Sequence, residues 1–167
     1  SYVNSSTIVT NKILSFRQAL VYLGEDRLRK FISLVALAST DERKPNYLYT
    51  LSIQRAKFCE LLAQKLQVKP QQGHAFLTGM FSLLDCLLDR PLEMLVKEMP
   101  IDEAIQLALL EKRGQLGGLL VLSKAIERAR WDSINAIGQK LNVTEMEIFA
   151  CYDLSIQWTA ELMDVHD

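Results

Sequence analysis

The sequence has few of the residues from which catalytic and metal sites are built. Its 167 residues include two histidines, His74 and His166, and no HExxH motif. A catalytic metal site usually takes about three His, Asp, Glu or Cys ligands on rigid elements. We therefore expect no metal, no cofactor and no catalytic residue. We interpret His74, which follows Gly73 at a predicted helix start, as a surface residue.

The chain also lacks an excess of either charge and a long hydrophobic run. The formal net charge is −1, which gives no general attraction to nucleic acid or to an acidic membrane. No apolar run reaches the roughly 18 residues of a membrane span. The nearest approach to a basic patch is Arg27, Arg29 and Lys30, beside Glu25 and Asp26. We interpret it as a solvated helix face and only a weak candidate for a partner surface.

Cysteine is scarce, odd in number and widely spaced. Cys59, Cys86 and Cys151 each lie within an apolar helical pattern, and no CxxC pair occurs. This usage favours buried, reduced thiols over disulfides. We therefore expect all three to be buried and the protein to be cytoplasmic.

Helical periodicity is what the sequence does contain, from about position 14 to its end. No stretch shows sustained strand alternation bounded by turn residues. The length suits one domain, so we predict a single all-α, multi-helix domain over residues 1–167. Two helices open near Ser15 and Glu25, and the others cover about 47–66, 72–88, 91–99, 102–113, 117–129, 131–141 and 144–165.

Three local patterns make specific structural predictions. A stripe of small residues on the helix at 47–66 predicts close approach of another helix; it comprises Ser52, Ala56, Cys59 and Ala63. Gly114 is predicted to be a left-handed helix C-cap. Thr144 and Glu147 predict a capping box, with Val143 and Ile148 as its hydrophobic staple.

Four short segments, taken in order, resemble a known family. They are Tyr2-Val3-Asn4-Ser5, Phe16–Gly24, Leu48–Ala56 and Gly79-Met80-Phe81-Ser82-Leu83-Leu84-Asp85. Together they resemble the HDOD domain, a relative of the HD-type phosphohydrolases. The pattern of Trp131, Tyr152 and Trp158 is similar to the variant found behind EAL domains in bacterial cyclic di-GMP proteins. The resemblance implies an HD-like helical bundle, cut from a longer protein and truncated at its N-terminus.

The chain departs from HD enzymes at the metal ligands. Leu51 stands at the position of the first ligand histidine, and Ser82 and Leu83 replace the His-Asp doublet. Leucine cannot bind a metal, and a neutral serine is a poor ligand. The resemblance therefore implies a vacated metal site, which we expect to be filled with packed hydrocarbon.

These observations favour a non-catalytic output or regulatory module over an enzyme. Its expected partner is a protein: a signalling kinase, a regulator or an attached EAL domain, with a homodimer as a further expectation. Two alternatives stay open. The first is a degenerate HD phosphohydrolase with unusual ligands such as Asp85 and Asp153. The second is a small-molecule sensor with a cavity near Ser52 and Ser82.

Overall fold

The computed structural model describes residues 46–71, 73–98 and 101–163, and every regular element in these ranges is a helix. The predictions at 1–45, which include the basic patch and the first two resemblance segments, lie outside the described residues, as does His166. The helices are α1 (Asn46–Ala63), α2 (His74–Phe81), α3 (Leu84–Leu88), α4 (Leu92–Glu98), α5 (Glu103–Glu111), α6 (Gly114–Glu127), α7 (Trp131–Leu141) and α8 (Glu145–Met163). The prediction of an all-α fold is confirmed.

Helix α1 is central to the packing, because α2, α6 and α8 all contact it. The predicted stripe of small residues lies in this contact region, and all four of its members are buried. A Cβ added to Gly79 of α2 would lie 2.6 Å from the Cα of Ala56. The two backbones therefore approach as closely as the stripe predicted, and only glycine fits at this position of α2.

The core is continuous and leucine-rich. Its largest fully buried side chains include Phe58 of α1, Phe76 and Phe81 of α2, and Leu119 and Leu120 of α6. Helix α6 also packs against α5 and α7. A helix that faces neighbours on several sides has little room for polar residues, which explains its apolar composition. None of the helices in the described ranges is both long and apolar enough to cross a membrane.

The capping box before α8 forms as predicted. The amide of Thr144 donates to Glu147 Oε2 at 2.8 Å, and the amide of Glu147 donates to Thr144 Oγ1 at 3.1 Å. Val143 and Ile148 are both buried in the core cluster. Two backbone donors at the start of α8 are thus satisfied by side chains, which fixes where the helix begins.

Two helix predictions are wrong in detail. The helix predicted over 72–88 breaks at Ser82 and Leu83 into α2 and α3. Gly114 is left-handed as predicted, with a φ of 74°, but it is the first residue of α6, and the C-cap of α5 is Lys112, with a φ of 57°. Gly117 explains the tight turn between these helices, since an added Cβ would lie 2.3 Å from the carbonyl carbon of Lys112.

Among the cysteines, Cys59 and Cys151 are buried, but the predicted burial of Cys86 is wrong because it is exposed.

Candidate functional site at the break between α2 and α3

The segment that replaces the His-Asp doublet forms the break between α2 and α3. Ser82 is the C-cap residue of α2, and Leu83 is the N-cap residue of α3, with a φ of −114°. Both are buried. Leu51 lies on α1, one helical turn before Arg55, and is partly buried. The three positions that the resemblance singled out therefore lie on the packed helices α1 and α2 and at the start of α3.

A polar network surrounds Ser82. Arg55 Nε donates to both carboxylate oxygens of Glu127, at 2.8 and 3.0 Å. Arg55 Nη1 donates to Ser82 Oγ at 3.1 Å, and that hydroxyl donates to the carbonyl of Gly79 at 2.7 Å. Ser123 Oγ donates to Glu127 Oε2 at 3.3 Å. We call Arg55, Ser82, Ser123 and Glu127 the Arg55 network; it joins α1, the end of α2 and α6.

The Arg55 network is largely removed from solvent. The side chains of Arg55 and Glu127 are 11% and 15% exposed. The expectation that packed hydrocarbon fills this place is therefore wrong at Ser82, which accepts from a guanidinium. The carboxylate of Glu127 and the hydroxyl of Ser82 give this largely buried guanidinium its hydrogen-bond partners.

The groups beneath this network are unreactive. Ser52 Oγ donates to the carbonyl of Met80 at 2.7 Å, so its proton is used. Burial raises the pKa of the Cys59 thiol to about 12; Arg55 opposes this shift and Glu127 adds to it. A thiol with such a pKa is almost entirely protonated at neutral pH, so Cys59 is not a nucleophile.

The carboxylates suggested for an alternative metal site do not form a ligand cluster. Asp85 lies in the first turn of α3, where its Oδ1 accepts from the amide of Cys86 at 2.9 Å. Asp153 lies on α8 and is exposed. Across the described ranges, no group of three or more His, Cys, Asp or Glu side chains is placed to hold a metal ion.

His74 is not the surface residue that the sequence predicted. It is 8% exposed, and its Nε2 lies 2.7 Å from Asp102 Oδ2, which ties the start of α2 to the residue before α5. The burial follows from its place at the first position of a helix that is buried along its whole length. The contact with Asp102 indicates a structural role for His74.

The aromatic residues of the C-terminal pattern divide into two groups. The ring of Tyr152 packs edge-on against Phe58 with centroids 5.9 Å apart. Lys57 Nζ lies 4.8 Å from the ring centroid of Trp158. These two contacts fasten α8 to α1. Trp131, in contrast, is 59% exposed.

Comparison with known proteins decides the family. The family model of the HDOD domain matches residues 1–99, which is more than half of the chain. The chain belongs to the HDOD domain family. The matched range contains α1 to α4, and therefore Leu51, Arg55, Ser82 and Leu83. In this HDOD domain, Arg55 contacts Ser82, the first position of the replaced doublet.

Two curated relatives match this HDOD domain over most of its length. Cyclic di-GMP phosphodiesterase CdgJ of Vibrio cholerae is 47% identical over 134 residues, which are 80% of this chain and 31% of the relative. The uncharacterized protein YuxH of Bacillus subtilis is 34% identical over 167 residues, covering 98% of this chain and 40% of the relative. The chain spans less than half the length of these relatives. No solved structure gives a significant match.

The Arg55 network was not predicted from the sequence. Arg55 interrupts an otherwise apolar helix face, which was a signal that it needs a buried partner. Glu127 lies 72 residues further along the chain. No local pattern connects the two, because the pairing depends on how α6 crosses α1.

Proposed function

We propose that this HDOD domain is a non-catalytic regulatory module that acts through protein contacts. In this proposal it is coupled to an EAL domain and adjusts cyclic di-GMP turnover in the cytoplasm. The likeness to part of a cyclic di-GMP phosphodiesterase supports the pathway. The free, buried thiols of Cys59 and Cys151 support the cytoplasmic location, because cytosolic thiols are kept reduced.

The single observation that carries the non-catalytic part is the pairing of Arg55 with Glu127 beside Ser82. A guanidinium 3.1 Å from Ser82 Oγ puts a fixed positive charge at the replaced doublet. A divalent cation at the same place would be repelled, and Glu127 already uses both oxygens on Arg55 Nε. The charge balance of this site is complete without a metal.

The two alternative functions have less support. A degenerate hydrolase would need Asp153, which is exposed on α8, to act together with Asp85 on α3. A sensor that uses Ser52 and Ser82 would need free hydroxyls. Both hydroxyls donate to main-chain carbonyls instead.

An exposed apolar surface on α7 and α8 supports action through protein contacts. Met146 is 82% exposed and Leu154 is 52% exposed, two turns apart on α8. Trp131 lies beside Phe149, with ring centroids 5.9 Å apart. Tryptophan and methionine are enriched at protein interfaces, and exposed apolar groups of this kind mark contact sites. We propose that this surface contacts the EAL domain.

The first test measures hydrolysis and metal content of the 167-residue chain. Purified without chelators, it is expected to hold well below one equivalent of any transition metal. We also expect no cleavage of cyclic di-GMP or bis(p-nitrophenyl) phosphate with added Mn²⁺. Metal-dependent turnover that Arg55→Met increases would overturn the non-catalytic assignment.

The second test measures regulation in CdgJ. Three proteins are compared: CdgJ, CdgJ without the matched segment, and CdgJ carrying this chain in its place. We expect deletion to change the rate of cyclic di-GMP hydrolysis by roughly fivefold or more, the lower end of typical coupling between sites. The chimera should restore the rate, and Met146→Glu in the chimera should cancel the restoration. Equal rates in all three proteins would refute regulation.

A control separates this contact from self-association. Light scattering of the isolated chain, with and without Met146→Glu, reports whether the same surface joins two copies. A monomer whose variant fails only in the chimera supports the EAL contact. A dimer that the variant dissociates would assign the surface to a homodimer instead.

A further inference from the structure

A small cavity of about 170 Å³ lies where α6 ends and α7 begins. Its lining residues are Val121, Lys124, Ala125, Arg128, Arg130 and Ser133. Three of these six are cationic and one carries a hydroxyl, whereas none of them is a carboxylate. We call it the α6–α7 cavity. Its charge differs from that of the chain as a whole, which is nearly neutral.

Among the described residues, no carboxylate forms an ion pair with either arginine of the cavity. Within the described residues, the ion pairs of arginine side chains join Arg55 to Glu127, Arg90 to Glu98 and Arg113 to Glu111. Arg128 and Arg130 are in none of them, and both are exposed. A guanidinium offers a planar fork of donors that matches the oxygens of a phosphate or carboxylate. These donors are available to a ligand.

The backbone holds the two arginines at fixed positions. The amide of Arg130 donates to the carbonyl of Ala125 at 2.9 Å, and that of Ala129 donates to Ile126 at 3.0 Å. Ala129 has a φ of 52°, the left-handed conformation that ends a helix in this type of turn. The turn closes α6 and delivers Arg130 directly to the N-cap position of α7.

The N-terminus of α7 adds backbone donors beside the cavity. No side chain caps this helix, and Ile134 is the first residue whose amide donates back to Arg130. The amides of the preceding turn, up to Ser133, have no such partner in the helix. Arg130 and Ser133 flank this turn and both line the cavity. Asp132 is the one carboxylate of the turn, but it does not line the cavity.

Lys124 contributes a third positive charge that is poorly compensated. Burial, together with the nearby Lys112 and Arg55, lowers its pKa to about 8, and Asp85 acts in the opposite direction. An anion in the α6–α7 cavity would compensate this charge.

We propose that the α6–α7 cavity binds one phosphoryl group, as free phosphate or as the terminal group of a small phosphate ester. Arg128 and Arg130 hold the oxygens in a fork, while Lys124 and the first turn of α7 supply further positive charge. The volume suits one such group, because pockets that enclose drug-sized ligands measure roughly 300–1,000 Å³. The rest of an ester would extend into solvent. None of the lining residues belongs to the Arg55 network.

The test is calorimetric titration of the chain in phosphate-free, low-salt buffer. One arm uses inorganic phosphate and the other glycerol phosphate. Each is repeated with Arg128→Gln, Arg130→Gln and the matched control Arg113→Gln, an exposed arginine at the other end of α6. Loss of one charge-assisted hydrogen bond should weaken binding roughly tenfold in the first two variants. The control should bind as the wild type does.

Each outcome supports or overturns the site. Binding in both arms that depends on Arg128 and Arg130 supports an ester ligand, and binding of inorganic phosphate alone supports the free ion. Equal weakening by Arg113→Gln would show a response to net charge only and overturn the site. Absence of binding in both arms would also overturn it. Circular dichroism of each surface variant checks that its fold is intact.

Discussion

Two regions on α6 treat positive charge in opposite ways. On one side, Glu127 pairs with Arg55 inside a network that also satisfies Ser82 and Ser123. Three residues earlier, Lys124 lines a cavity whose other charged groups are Arg128 and Arg130. The first region has a partner for its charge and holds helices together. The second has an excess of positive charge, as expected of a site that binds an anion.

The difference separates structural charges from binding charges within one helix. When a cation has a buried carboxylate partner, its charge is compensated, so removing the partner should lower the free energy of unfolding. A cation with no such partner destabilises the fold, so neutralising it should raise the free energy of unfolding and weaken anion binding.

The largest expected effect is on Glu127. We expect Glu127→Gln to lower the free energy of unfolding by about 3 kcal/mol, because it leaves the largely buried Arg55 without its charge partner. Urea unfolding measures it. The double variant Arg55→Met/Glu127→Leu should recover most of the loss, since apolar replacements leave no unpaired charge. A loss of only about 0.2–1 kcal/mol would place the pair with exposed salt bridges.

The second effect concerns the close contact of α1 with α2 that sets the network geometry. Gly79→Ala places a Cβ 2.6 Å from the backbone of Ala56, so the helices must separate. We expect a loss of about 1–3 kcal/mol, as for an overpacked core. Gly118→Ala is the matched control: the nearest atoms to its Cβ belong to the Leu141 side chain, with Cδ2 at 3.1 Å, and that side chain can move. Similar losses in thermal unfolding for both variants would contradict a special approach at Gly79.

The third effect has the opposite sign and lies in the α6–α7 cavity. The pKa of Lys124 is lowered to about 8 by burial and by the nearby Lys112 and Arg55, against the pull of Asp85. The unfolded chain keeps the lysine protonated up to about pH 10.5. Between these values the unfolded state binds more protons, so stability should rise with pH.

Lys124→Met should therefore stabilise the domain at pH 7. It should also remove the part of the increase of stability with pH that Lys124 causes. We expect only about 1 kcal/mol, because the amine is half exposed and solvent screens its charge. Urea unfolding from pH 7 to 10 of wild type and Lys124→Met tests it. The exposed Lys140→Met is the control, and an identical gain there would indicate a general effect of charge.

Much of the fold could be predicted from the sequence, because it depends on local patterns. The Thr144 capping box was readable since both of its partners lie within one turn. The small-residue stripe on α1 predicted a close neighbour, and Gly79 of α2 is that neighbour. The break at Ser82 could not be predicted, because apolar residues stand on both sides of it and the break itself contains no Gly or Pro.

The candidate site was predictable only in position. The resemblance led to Ser82 and Leu83, but the group that meets Ser82 comes from Arg55 and is held by Glu127, 72 residues away from it. A prediction of hydrocarbon followed from Leu51 and Leu83 alone. His74 was misplaced for a similar reason, since Asp102 reaches it from the start of another helix. Partnerships across distant helices depend on tertiary packing, which no periodicity encodes.

The smallest effect tests whether Ser82 is a working part of the Arg55 network. Ser82→Ala removes one hydrogen bond from Arg55 but leaves the pairing with Glu127 intact. We expect a loss of about 1 kcal/mol, typical of one hydrogen bond. In a Glu127→Gln background the same change should cost more, because Ser82 is then one of the few acceptors left to the guanidinium. Strict additivity in a double-mutant cycle of urea unfolding would mean that Ser82 and Glu127 act independently, and that the replaced doublet position has no share in holding Arg55.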